Sequence, residues 1–154
     1  MKIKKFSEFI AEGMWGSALR RSNTAKERKD DEANRIQEFI NKQREPESIY
    51  ITDDNVINSK KSIIISDTDL INGKLPFKFG RVDKDFDCRE CTSLTSLEGA
   101  PQKVDGFFDF HKCTQLETLK GAPTYVGGDF YCSGCASLES LEYIPEHVDS
   151  WVIC

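Results

Sequence analysis

Histidine is nearly missing from the 154 residues: His111 and His147 are the only two, beside two tryptophans and two methionines. Neither stands next to a nucleophile by the spacing of the chain or near a glycine-rich phosphate loop, so no acid–base or phosphate-transfer constellation assembles. The expectation is a non-enzymatic protein without a cofactor. Long apolar runs are missing too. Nothing approaches the roughly 18 apolar residues that a membrane helix needs. The opening MKIKKFSEFIAEG has the basic start of a secretory signal but not its apolar stretch of roughly 7 to 15 residues, because Ser7, Glu8 and Glu12 interrupt it. A chain kept in a reducing cytoplasm, with no membrane contact, is expected unless a dedicated system exports it.

Positive charge is scarce in the main body. Residues 46–154 hold 10 Lys/Arg against 18 Asp/Glu, whereas residues 1–45 hold 11 against 8. An acidic body repels phosphate backbones, which disfavours nucleic acid as a partner and leaves only the basic N-terminal arm to meet one.

The arm begins with Ile3, Phe6 and Ile10 at the spacing of one face of a short amphipathic helix, too short to be stable alone. Gly13 and Gly16 punctuate it. From about Thr24 to Gln43 the pattern is that of a charged helix, with Thr24 and Glu27 spaced as a capping box and Ile36, Phe39 and Ile40 as a narrow apolar stripe. That stripe is suited to covering the open end of a stack. Arg44, Glu45 and Pro46 end the helix, since a residue before proline avoids the α region. Two β-rich patches, Ile49 to Ile51 and Ile63 to Ile65, flank the polar stretch Asp53 to Lys61 and are expected as strands.

What the remainder has in abundance is repetition at 22 residues. Phe86, Phe108 and Phe130 align, followed by Val152; Cys88, Phe110, Cys132 and Cys154 align two residues later. Cys91, Cys113 and Cys135 follow, then Leu94, Leu116 and Leu138, then Leu97, Leu119 and Leu141, then Pro101, Pro123 and Pro145, and last Val104, Val126 and Val148. A period of this length signals a solenoid. A degenerate earlier copy places Ile64, Leu75 and Val82 where Phe86, Leu97 and Val104 stand, giving four coils from about Ile64 to Trp151. Phe108-x-Phe110 has the period-two spacing of a strand, and the Pro-x-x-Val is assigned to turns and the returning segment. Gly127-Gly128 belongs to the repeat turn, where a positive φ is the expected reason for glycine. The fold class is α+β: a short parallel β-solenoid over 48–154, with regular copies at 86–107, 108–129 and 130–151, preceded by a helical arm or cap over 13–47.

The segment LTSLEGAPQKVDGFFDFHKC from Leu94 resembles the short bacterial leucine-rich repeat, and SLEGAP with VGGDFYC resembles repeats of bacteriophage proteins. The resemblance implies a curved stack with parallel strands on its inner face. Cys91, Cys113 and Cys135 would be its ladder residues, satisfying buried backbone groups between coils. The outward positions of the inner face would be Asp85, Asp87, Arg89, Phe107, Asp109, His111, Asp129, Tyr131, Ser133, Trp151 and Ile153. That is an acidic floor with three aromatic rings, the kind of surface that anchors a protein partner.

Cys88-x-x-Cys91 and Cys132-x-x-Cys135 have the spacing of half-sites for zinc. Two coils would hold them roughly 10 Å apart, beyond the reach of zinc–sulfur bonds of about 2.3 Å. Reduced cysteines packed as small hydrophobes are preferred over zinc or disulfides.

MKIKKFSEFIAE resembles the capsid-targeting peptide of internal head proteins in T-even-like bacteriophages, which is cut after a glutamate. The resemblance implies processing between Glu12 and Gly13, residues 1–12 being the removed peptide, and a location in the virion or host cytoplasm. The alternatives are a cytoplasmic leucine-rich-repeat interaction module or effector whose arm is only a cap, and a structural zinc protein. Because Cys154 falls on a core position of the pattern, the last strand is expected to leave an exposed edge where copies could self-associate.

Overall fold

The computed structural model describes residues 4–5 and 25–154. Helix α1 (Ala25–Lys42) buries Ile36, Phe39 and Ile40, the expected stripe. Thr24, Gly13, Gly16 and the Glu12–Gly13 processing site lie outside the described residues. Lys4–Lys5, expected in a helix, form strand β1 and pair antiparallel with Tyr50 and Ile51 of β2 (Ile49–Ile51). A free strand edge supplies the backbone partners that a helix of this length cannot supply for itself.

Both expected strands are present, as β2 and β4 (Ile63–Ile64), but a third lies in the stretch between them. Strand β3 (Val56–Ser59) folds back on β2 through Thr52–Val56, where Asn55 takes φ 57°. Asp54-Asn55 supplies turn chemistry and Val56-Ile57 a strand start, so this hairpin was readable.

From β3 onward each coil contributes two short strands, and the coils stack in parallel. A seven-stranded long sheet runs β1-β2-β3-β5-β7-β9-β11, with β5 at Lys78–Val82, β7 at Lys103–Val104, β9 at Tyr125–Val126 and β11 at His147–Val148. A five-stranded short sheet runs β4-β6-β8-β10-β12, with β6 at Phe86–Asp87, β8 at Phe108–Asp109, β10 at Phe130–Tyr131 and β12 at Val152–Ile153. The valines expected on a returning turn therefore form a second ladder, Val82 opposite Val104 and Val104 opposite Val126. The regular pairs Phe86–Phe108 and Phe108–Phe130 sit 22 positions apart, as the alignment of the repeat requires.

The first coil departs from that count. Ile57 pairs with Phe79 but Ser59 pairs with Val82, so β5 holds one extra residue in a bulge. The Arg81 N–H donates to Asn58 Oδ1 at 2.8 Å. A bulge leaves one backbone group without its ladder partner, and Asn58 replaces it. The shift carries Ile63, not Ile64, opposite Phe86; Ile63 is fully buried and Ile64 is 45% exposed.

Between the sheets, Phe86, Phe108 and Phe130 form a stacked column with centroids 5.5 and 5.9 Å apart and planes within 12°. Phe110 packs edge-on against Phe108 and Phe130. The column continues through Phe79 to Phe39 of α1, at 5.1 and 5.9 Å. Burying one such ring contributes about 1.5–3 kcal/mol, and no single coil can bury it alone. Leu94, Leu97, Leu116 and Leu119 close the third side, fully buried. Gly127 and Gly128 do not have positive φ. A Cβ on Gly128 would come within 2.8 Å of the Gly106 backbone, so glycine is required there by the close approach of coils, not by a left-handed turn.

Candidate functional site

The candidate surface is the outer face of the short sheet, and its residues are placed by alternation. With Phe86, Phe108 and Phe130 turned inward, Asp87, Asp109 and Tyr131 must point out. In-register stacking then builds three rows across the coils. The first is Asp85, Phe107, Asp129 and Trp151; the second is Asp87, Asp109, Tyr131 and Ile153; the third is Arg89, His111 and Ser133. The residues expected on this face are thus brought together on one sheet.

The acidic floor is less acidic than the sequence suggests. Asp87 and Asp109 are only 7% and 6% exposed, and each has a cation or imidazole two residues on. Arg89 Nε donates to both Asp87 oxygens at 2.9 Å, and the Arg89 guanidinium is held above its ordinary pKa by this bond. His111 Nδ1 lies 2.8 Å from Asp109 Oδ1. These two carboxylates belong to the wall of the sheet.

The first row behaves differently. Asp85 accepts the Phe107 N–H at 3.1 Å and the Ser62 hydroxyl at 3.0 Å. Asp129 accepts the Trp151 N–H at 3.1 Å and the Tyr131 hydroxyl at 2.6 Å. Hydrogen bonds from Ser150, Tyr131 and the Trp151 backbone hold the Asp129 carboxyl below the usual carboxylate range. Each aspartate thus ties its coil to the next through the amide of an aromatic residue. Among the described residues, neither forms an ion pair. Phe107 meets Tyr131 edge-on at 6.3 Å, and Trp151 is 73% exposed.

One participant was not foreseen. Gln43, at the end of α1, donates from Nε2 to the Ile64 carbonyl and accepts the Ile64 N–H at Oε1, both at 3.0 Å. Its amide takes the place of a neighbouring strand at the edge of β4. Nothing in the local pattern marks such a residue, because its partner is 21 positions away.

The cysteines occupy the interior. The Cys91, Cys113 and Cys135 thiols donate to the Ile65, Cys88 and Phe110 carbonyls of the preceding coil at 3.6, 3.2 and 3.2 Å. Burial pushes the Cys91 thiol up to about 12 and the Cys135 thiol up to about 11. In line with the expectation of reduced cysteines, Cys88, Cys91, Cys113 and Cys135 are free. Cys132 and Cys154 stand in register on adjacent coils, with Cα atoms 4.5 Å apart and their sulfurs side by side. Cys88 has no such neighbour, because the next coil offers Phe110. Among the described residues no group of three or more His, Cys, Asp or Glu is arranged to hold a metal ion. None of the described helices is long and apolar enough to cross a membrane. No family model, curated protein or solved structure matches the chain.

Proposed function

We propose that this chain is a non-enzymatic protein of a bacteriophage, carried in the virion or the interior of its head, whose leucine-rich-repeat-like solenoid binds another protein through the short-sheet face. The observation that carries the binding reading is the three aromatic residues Phe107, Tyr131 and Trp151 gathered on the hydrogen-bonded short sheet. Rigid aromatic anchors set among polar groups supply binding energy at little entropic cost. The phage reading rests on the N-terminal resemblance and the repeat wording. Helix α1 serves as the cap of the first coil, through Phe39 against Phe77 and Phe79.

Two experiments test this. A protein captured by the full chain should be lost on Tyr131→Ala plus Trp151→Ala while the fold is retained; unchanged capture would count against the face. Mass spectrometry of purified particles should find a mature chain starting at Gly13, and an intact Met1 there would remove the head-protein reading. At the far end, Val152 and Ile153 are half-exposed on β12, the last strand of the short sheet. Self-association through this edge should give a concentration-dependent mass in light scattering; a monomer at all concentrations would contradict it.

A further inference from the structure

Building on the reading of the short-sheet face as the contact surface, we propose that its occupant is an extended protein segment with lysine or arginine at every third position. The first row alternates carboxylate and aromatic ring: Asp85, Phe107, Asp129, Trp151. One coil advances about 4.8 Å, so Asp85 and Asp129 stand roughly 10 Å apart with the Phe107 ring between them. Extended backbone advances about 3.3 Å per residue, so cations at positions i and i+3 match that spacing for a segment lying along the stack.

The chemistry of the row selects the sign. Among the described residues, Asp85 and Asp129 accept hydrogen bonds only from uncharged backbone N–H and hydroxyl donors, so a cation can still neutralise them. The neighbouring rings offer π-faces that attract ammonium and guanidinium groups. The long-sheet face lacks this opening. There Arg81 bridges Asp83 and Asp105, both at 2.6 Å, and Lys103 lies 3.3 Å from Asp105 and 4.5 Å over the Tyr125 ring. Its cations are supplied by the chain itself. The excess of 18 acidic over 10 basic residues in 46–154 adds long-range attraction for a basic partner.

The test uses the full chain and fluorescein-labelled peptides about nine residues long. One has arginine at every third position with Gly-Ser between; the second has the same composition with its arginines adjacent; the third replaces arginine by glutamate. The spaced peptide should bind, about tenfold more tightly than the clustered one, and the glutamate peptide should not. Asp129→Asn and Phe107→Ala should each weaken binding about fivefold. Glu98→Gln, which removes the same charge beside Lys74 away from this face, should leave it unchanged. Equal binding of the two arginine peptides, or equal losses in Asp129→Asn and Glu98→Gln, would show bulk charge attraction and overturn the proposal. If no peptide binds but a captured protein is still lost on Tyr131→Ala plus Trp151→Ala, the cationic segment alone is overturned. If capture is also indifferent to that pair, the reading of the face falls with it.

Discussion

The two sheets come from one repeat, yet the carboxylates on their outer faces are partnered differently. On the long sheet, Arg81, Lys103 and Tyr125 find Asp83, Asp105 and Asp149, with Tyr125 donating to Asp149 at 2.5 Å. On the short sheet, Arg89 and His111 cover the central carboxylates, while Asp85 and Asp129 accept the backbone amides of Phe107 and Trp151 and form no ion pair among the described residues. A repeat fixes which positions point outward; the residues placed there decide whether a face is self-contained or open to a partner.

The largest effect is expected in the wall that both faces share. Phe108→Ala removes the middle ring of the stacked column and should cost about 3–5 kcal/mol in urea denaturation. Loss of the long-sheet and short-sheet ladders should be simultaneous, by hydrogen exchange. An effect confined to one sheet would mean that the faces fold separately.

Gln43→Ala should act on the short sheet alone. It leaves the Ile64 N–H and C=O without their partner, which should cost about 1–3 kcal/mol and expose the Ile64 amide to exchange.

The interior thiols give a pH signature common to both faces. The Cys91 and Cys135 pKa values are raised from an ordinary 9.0, so the folded state holds these protons longer than the unfolded state. Their contribution is complete below pH 9.0 and is lost as pH rises toward about 11 and about 12, so stability should fall across that alkaline window. Denaturation midpoints measured through it should decline less in Cys91→Ala than in the parent.

Tyr143 occupies the place of Gly99 and Gly121 and takes their left-handed conformation, with φ 68°. Tyr143→Gly should therefore raise stability, by about 1 kcal/mol in the same assay. The smallest effect is expected on the self-contained face. Arg81→Met removes exposed ion pairs and should change stability by less than about 1 kcal/mol, with no change in peptide binding.

The coils were readable because in-register stacking makes one residue type recur at one interior place. The Phe86, Phe108 and Phe130 column and the Leu94 and Leu116 pair follow from the period of 22 alone. The register of the first coil was not readable, because the bulge at β5 adds a residue that no local pattern announces and moves Ile64 out of the core. The second ladder was hidden by its brevity: Lys103–Val104 is two residues, and alternation cannot show in two. On the surface, the sequence placed the outward residues together but could not say which carboxylates were already neutralised. Asp87 and Asp129 both read as outward carboxylates of the short sheet; their partners two residues on, the Arg89 guanidinium and the Tyr131 hydroxyl, distinguish them.

The most direct test of an open short-sheet face is hydrogen exchange on the full chain, free and saturated with the spaced-arginine peptide. Exchange should slow at Phe107–His111, Asp129–Ser133 and Trp151–Ile153, with Arg81–Asp83 and Lys103–Asp105 unchanged. Protection at Arg81–Asp83 and Lys103–Asp105, with none along the Phe107, Tyr131 and Trp151 strands, would contradict it.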